Sequence, residues 1–218
     1  MITGRTEYNP HDRLGIYERQ WIDHELVPVE VCYQGVFGNS TPLARAEELA
    51  RTPEGLDVLD AGCGTGRWLH GLAAAVRARL GQQAAVRATG LNDHDFSAES
   101  ADPAVRQAMA CGDITYDLGY IQNMPYGNGR FNLVHCFEVL YRPKQYVPAV
   151  KELMRVTRPG GTVFFNVEAP AQQLPAAQLG ALVDRLPSRG HTVRKQLYAE
   201  PSRNRMNWRA MYRIDIAA

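Results

Sequence analysis

An α/β fold, doubly wound around a mostly parallel sheet, is what this sequence predicts, and three observations predict it. From Leu56 onward, short apolar runs alternate with segments whose apolar residues recur every three or four positions, which is the pattern of repeated strand–helix units. One such run, Val58-Leu59-Asp60-Ala61, leads directly into Gly62-Cys63-Gly64-Thr65-Gly66 and then into a helical stripe. Near the end of the chain two strand-like runs follow each other over a short connection, so they pair antiparallel at one edge.

The elements follow in order. Leu14, Tyr17 and Trp21 share one helical face. Val31 to Gly38, aromatic and glycine-containing, reads as a loop. Thr41-Pro42 reads as an N-cap followed by proline at the first helical position, with Leu43, Ala46 and Leu49 turned inward. Leu56 to Ala61 is a strand, Leu69, Leu72, Ala73, Val76 and Leu80 trace a helix, and Ala85 to Leu91 is the second strand. A short helix lies near Pro103 to Ala108, and Phe131 to Cys136 is a strand. Val147, Val150, Leu153 and Met154 mark a helix that stops at Arg158-Pro159-Gly160-Gly161, ahead of the strand Thr162 to Val167. A helix with Leu179, Leu182, Val183 and Leu186 inward then precedes strands over His191–Ala199 and Asn207–Ile216. In the last of these, Trp208, Ala210, Tyr212, Ile214 and Ile216 alternate with Arg209, Met211, Arg213 and Asp215.

The chain has 218 residues, enough to bury about 70% of its unfolded surface in one domain. Its divisions are a helical cap and lid (1–55), a central core (56–168) and a C-terminal helix with a strand pair (169–218). A charge of +1 argues against binding nucleic acid through bulk electrostatics. That total is a cancellation: residues 189–218 carry seven Lys and Arg against two acids, and the remainder is −4. Arg209 and Arg213 share a face of the last strand, which is either solvated or a surface for an acidic substrate or partner. The four cysteines show no metal-ligand spacing, no run approaches 18 apolar residues, and the N-terminus has no apolar leader; a cytoplasmic protein off the membrane is expected.

The turn Asp60-Ala61-Gly62-Cys63-Gly64-Thr65-Gly66 carries the chemistry. Its glycines let the backbone turn sharply and let a ligand approach with no side chain between. The helix behind it presents unpaired N–H groups and a positive dipole end, suited to a carboxylate or phosphate. A dinucleotide fingerprint would need its third glycine where Arg67 stands. The form DxGxGxG instead resembles the first motif of the class I S-adenosylmethionine-dependent methyltransferases, in particular those acting on small molecules, and the likeness continues over about residues 30 to 168. Met124-Pro125-Tyr126 and Phe131-Asn132-Leu133-Val134-His135-Cys136-Phe137-Glu138-Val139-Leu140 are similar to the family's LPF…FDxVxxxEVL segment, with Asn132 in place of an acid. Arg155-Val156-Thr157-Arg158-Pro159-Gly160-Gly161 is similar to its RVLKPGG segment.

The resemblance implies a seven-stranded Rossmann-like methyltransferase fold with the last strand antiparallel and an N-terminal helical cap. It implies S-adenosylmethionine as cofactor, S-adenosylhomocysteine as product and no metal. The cofactor-binding residues it implies are Asp60, Gly62, Cys63, Gly64 and Gly66 in the turn, with Cys136 and Phe137 at the fourth strand. Asn92 or Asp93 would meet the ribose, and both stay open. Cys111-Gly112-Asp113-Ile114 resembles the Gly-Asp pair whose carboxylate accepts from the adenine amino group, with an Asx-type turn as the other reading. The Ile114 to Gln122 segment then stands as an insertion reshaping the pocket wall. Tyr33, in Cys32-Tyr33-Gln34-Gly35-Val36-Phe37, belongs either to a lid over the cofactor or to the packing of helices on the sheet.

The function so implied is in-line methyl transfer to an oxygen, nitrogen or carbon nucleophile of a small molecule, in a setting such as secondary metabolism. The alternatives are a methyltransferase of protein, peptide or RNA, and a non-catalytic S-adenosylmethionine-binding subunit. Glu138, Tyr141 and His135 are the candidate catalytic residues, His135 with the second reading of a core histidine. No nucleic acid or membrane partner is expected, and a homodimer is compatible with the sequence.

Overall fold

In chain order the elements are α1 (Leu26–Phe37), α2 (Pro42–Ala50), β1 (Leu56–Ala61), α3 (Arg67–Leu80), β2 (Val86–Asn92), α4 (Pro103–Ala110), β3 (Ile114–Leu118), β4 (Phe131–Leu140), α5 (Tyr146–Val156), β5 (Thr157–Glu168), α6 (Leu174–Val183), a 3-10 turn (Pro187–Arg189), β6 (Thr192–Ser202) and β7 (Arg205–Asp215). The computed structural model describes residues 26–93, 102–140, 146–168, 174–202 and 205–218. The expected helix bearing Leu14, Tyr17 and Trp21 lies outside them, as does Tyr141.

The seven strands form one sheet in the order β3-β2-β1-β4-β5-β7-β6. β1 pairs in parallel with both β2 and β4, so strand order reverses beside its carboxyl end, the position at which open α/β sheets bind ligands. β7 runs antiparallel to both its neighbours, β5 and β6, as expected for the last strand. One face of the sheet is buried by α5 and α6, through Val150, Leu153, Leu179 and Val183. The other is buried by α1, α2 and α3, through Tyr33, Ala46, Leu69 and Leu72 against Val58, Leu133 and Phe164.

Local signals explain most boundaries. Thr41 Oγ1 accepts from Ala44 N at 3.2 Å, and the Glu30 carboxylate accepts from Leu43 N at 3.0 Å, so two amides of the first turn of α2 are capped by side chains. Asp102 caps α4 in the same way, accepting from Ala104 N at 2.8 Å. Three expectations are corrected. The segment read as a loop at Val31 to Gly38 is the body of α1: Val29, Tyr33 and Val36 recur at helical spacing and are all buried, and this packing overrides the poor helix propensity of Gly35 and the valines. Ile114–Leu118 is not an inserted wall but β3, the sheet edge beside β2. Pro159-Gly160-Gly161 does not separate helix from strand; it is bulged out of β5, whose register against β4 shifts between Phe131 and Leu133.

At the amino end of the sheet, Asp57 gathers three guanidinium groups from separate segments. Arg87 Nε lies 2.5 Å and Arg130 Nη1 3.0 Å from Oδ1, and Arg158 Nη2 lies 2.9 Å from Oδ2. Burial alone would raise the Asp57 carboxyl, but the hydrogen bonds and charges of Arg87 and Arg130 outweigh it and hold it at about 2. Asn132 ties the same corner: its Oδ1 accepts from Asp57 N at 2.8 Å, and its Nδ2 donates to Gly55 O at 2.7 Å.

Two stability effects follow. A carboxyl lowered on folding contributes stability at pH values above its unfolded value of about 4, and that contribution disappears as pH falls toward 2; it is on the order of 2 kcal/mol. Asp57→Asn is expected to lower stability at pH 7 by that order and to flatten the loss between pH 4 and 2. Urea unfolding across this range checks it, and an unchanged acid slope would count against it. Gly62 has φ +87°, and a Cβ there would lie 2.3 Å from Val139 Cγ2. Gly62→Ala should therefore cost about 2–4 kcal/mol, with Val139→Ala in the same chain recovering part of it; additive losses would refute the contact.

Candidate functional site

The turn after β1 is held open by its backbone. Gly62, Gly64 and Gly66 have φ of +87°, +52° and +80°, a region costly for other residues. Gly62 N and Cys63 N both donate to Leu91 O, at 2.7 and 3.1 Å, which pins the turn to the end of β2. Gly66 then starts α3, its carbonyl accepting from His70 N at 2.9 Å. Cys63 is buried against Gly90, where a Cβ would stand 2.6 Å from its sulfur, and burial pushes the thiol well above its ordinary range.

Asp60 and His135 are register partners on β1 and β4, and they form a buried pair with Asp60 Oδ1 2.9 Å from His135 Nδ1. The imidazole stacks on the Trp68 indole, ring centroids 3.7 Å apart and planes 15° apart. Tyr33 reaches down from α1 into the same group, its ring 5.9 Å from His135, 5.7 Å from Phe137 and 5.3 Å from Phe164. A small cleft of about 20 Å³ lies between these rings and the turn, lined by Val29, Asp60, Gly62, Thr65, His135 and Phe137 among others.

Beyond the cleft, β4 bulges. Cys136 pairs with Phe165 and Leu140 with Val167, so Phe137, Glu138 and Val139 oppose Asn166 alone. Glu138 sits at φ +57°, the one non-glycine residue with positive φ among the described residues. Asn166 fills the bulge: its Oδ1 accepts from Glu138 N at 2.7 Å while its Nδ2 donates to Glu138 Oε1. Arg209 of β7 grips the same carboxylate, Nε 2.6 Å from Oε1 and Nη2 2.8 Å from Oε2.

The residues named from sequence separate accordingly. Asp60, Gly62, Cys63, Gly64, Gly66, His135 and Phe137 come together at the carboxyl end of the sheet, with Tyr33 packed behind them as part of an aromatic layer. Cys136 points the other way, into the core with Tyr146 and Phe165. Asn92 is buried at the tip of β2, and Asp93 is exposed beside it. Asp113 and Ile114 are at the wrong end. Ile114 pairs with Ala88, four residues before Asn92, roughly 13 Å down the strand, and Asp113 pairs with Arg77 at 3.1 Å near the end of α3. Arg209 and Arg213 are neither a solvated face nor a surface for an acidic partner: Arg213 binds Asp215 at 3.0 Å and lies over Phe164.

Trp68, Asp117 and Asn166 carry no expectation from the sequence, Tyr116 was expected only as part of a reshaped pocket wall, and Arg209 only on a charged strand face. Tyr116 Oη donates to Gly64 O at 3.0 Å, and Tyr126 Oη donates to Asp117 Oδ2 at 3.0 Å. The signal for the β3 pair was the excess spacing between Asp113 and Met124-Pro125, which disappears once the strand is placed at Ile114–Leu118. Asn166 and Arg209 carry no local signal, because their roles exist only across the sheet.

The residues fit a ligand with an extended adenosyl and amino-acid body: a cradle without side chains, a helix N-terminus, and buried polar atoms left without partners at Tyr33 Oη, Trp68 Nε1 and His135 Nε2. No group of three or more His, Cys, Asp or Glu that could hold a metal occurs among the described residues, and no helix there is long and apolar enough to cross a membrane.

Comparisons agree with this geometry. The sequence profile described as a methyltransferase domain matches residues 58–161. A demethylmenaquinone methyltransferase of Bacillus licheniformis is 30% identical over 116 residues, covering 53% of this chain and 46% of the relative, so the chain spans about half the length of that protein. An uncharacterized methyltransferase of Synechocystis is 30% identical over 178 residues, 70% of this chain and 74% of the relative. Among solved structures, the magnesium protoporphyrin IX methyltransferase of Synechocystis with bound S-adenosylmethionine shares the fold at TM-score 0.57 and 15% identity, over 98% of this chain and 100% of that one. With the glycine turn at the reversal of strand order and a curated relative matched over most of its length, the chain belongs to the class I S-adenosylmethionine-dependent methyltransferases.

Proposed function

We propose that the chain transfers a methyl group from S-adenosylmethionine to an oxygen, nitrogen or carbon nucleophile of a small molecule. The observation that carries this reading is the Asp60–Gly66 turn, open to a ligand at the carboxyl end of β1 and walled by β4 and α3. The Bacillus relative, named for demethylmenaquinone, supports a small-molecule acceptor.

When bound, S-adenosylmethionine supplies a methyl group on a sulfonium whose neutral thioether leaves without an acid. The protein's task is alignment. The glycine turn and the α3 N-terminus would hold one end of the donor, and Asn92, buried at the tip of β2, or Asp93, exposed beside it, would meet the ribose. The bulge of β4 turns Phe137 into the cleft, fixing the wall that separates donor from acceptor. Glu138 was expected to orient the nucleophile; its carboxylate is gripped by Arg209 and Asn166, so it serves by holding the bulge.

Calorimetry with S-adenosylhomocysteine tests the reading first. Wild type is expected to bind, Gly64→Val to bind at least 100-fold more weakly, and Asp113→Ala to bind within twofold of wild type because it sits at the far end of the sheet. Unchanged affinity in Gly64→Val would remove the turn from the site, and a tenfold loss in Asp113→Ala would return the adenine contact to that residue. A turnover screen over phenols, amines, thiols and carboxylates, read as S-adenosylhomocysteine formed, then tests transfer; binding without turnover on any of them would favour a non-catalytic subunit.

A further inference from the structure

Tyr116 stands on β3, and the turn it touches follows β1, with β2 between them in the sheet. The side chain can cross because its register partner on β2 is Gly90, which puts no side chain in the way. Its hydroxyl donates to Gly64 O at 3.0 Å, and it also meets the Cys63 thiol. Asp117, the next residue, accepts from Tyr126 Oη at 3.0 Å, so the strand that carries this tether is itself held.

The turn has fixed ends. Gly62 N and Cys63 N donate to Leu91 O at its start, and Gly66 N donates to Cys63 O at 2.8 Å at its finish. The Gly64–Thr65 peptide in the middle depends on Tyr116. The Cys63 thiol is the other donor near that carbonyl, but sulfur at 3.8 Å is a weak one. Gly64, at φ +52°, has no Cβ to restrict it, so its peptide can turn over at little steric cost. In a trans peptide the carbonyl and the following N–H point in opposite directions. Holding Gly64 O toward β3 therefore turns Thr65 N away from β3, and Thr65 borders the cleft. A turned-over peptide would offer a carbonyl there, which repels the anionic group that an N–H would bind.

We propose, resting on the reading above, that Tyr116 is a positioning residue for the donor. Its hydroxyl sets the Gly64–Thr65 peptide before the ligand arrives, so that the turn presents an N–H to the carboxylate at the amino-acid end of S-adenosylmethionine. Tyr116 acts through Gly64, and the part of it that matters is one oxygen atom. The edge strand β3 thereby tunes a site built on β1.

The test is Tyr116→Phe, which removes that oxygen and keeps the ring. Calorimetry compares S-adenosylhomocysteine with methylthioadenosine, which has the adenosyl and thioether parts but no amino-acid end, and urea unfolding of the unliganded protein follows the fold. Tyr116→Phe should bind S-adenosylhomocysteine about tenfold more weakly, the worth of one hydrogen bond between neutral groups. It should bind methylthioadenosine within about twofold of wild type, at an unchanged urea midpoint. Unchanged affinity for S-adenosylhomocysteine would overturn the proposal. So would equal weakening of both ligands or a loss of folding, since either makes the tether a general support of the sheet. Wild type binding neither ligand would instead refute the methyltransferase reading, and the role of Tyr116 with it.

Discussion

At Gly62 a Cβ would stand 2.3 Å from Val139 Cγ2, so the β4 bulge can close on the turn after β1 only because that side chain is missing. The closure has consequences on both sides. It sets Phe137 facing the cleft, next to His135 and Tyr33, and it forces Glu138 into a backbone conformation that a non-glycine residue adopts at a cost of about 1–3 kcal/mol. That strain persists because Asn166 and Arg209 over-determine the carboxylate and the amide of the same residue. The wall of the site is therefore set by three strands away from the turn it faces, β4, β5 and β7.

The two ends of the sheet treat charge differently. At the amino end, Asp57 is nearly enclosed, while Arg87 and Arg130 remain half-exposed, so their guanidinium groups keep much of their hydration and the attraction is gained at moderate desolvation cost. At the carboxyl end, Glu138 and Arg209 are 9% and 16% exposed, and both give up water. Such a pair is a poor source of net stability, since an apolar pair of similar volume would do as well or better. Its use is geometric: the fork of Arg209 fixes the direction of a carboxylate whose own backbone sets the bulge.

Much of this was legible in the sequence where physics is local. The strand before the turn, the cap at Thr41 and the stripe of α3 all follow from neighbouring residues, and they sit where they were expected. What failed depended on distant partners. β3 is a five-residue edge strand, Ile-Thr-Tyr-Asp-Leu, with one residue buried, so its own alternation is weak; the Gly112-Asp113 pair nearby then drew the adenine contact to the wrong end. α1 hides its helical spacing behind Gly35 and four valines, because only the sheet it covers makes that face worth burying. The net charge of the last 30 residues suggested an open basic surface, but Arg209 and Arg213 are consumed by Glu138 and Asp215, one of which lies on another strand.

The pattern of satisfied and unsatisfied polar groups separates scaffold from site. Around Asp57, every oxygen of the carboxylate has a guanidinium, and Asn132 uses both ends of its amide, so nothing there is left for a ligand to complete. Across the sheet, near the turn, Tyr33 Oη, Trp68 Nε1 and His135 Nε2 are buried without partners. A core free to minimise its energy would replace such groups with phenylalanine or leucine of similar volume, since an unmade buried hydrogen bond costs more than the polar atom returns. Three such atoms lie within a single aromatic layer beside the glycine turn, and polar groups of a bound molecule are what would complete them.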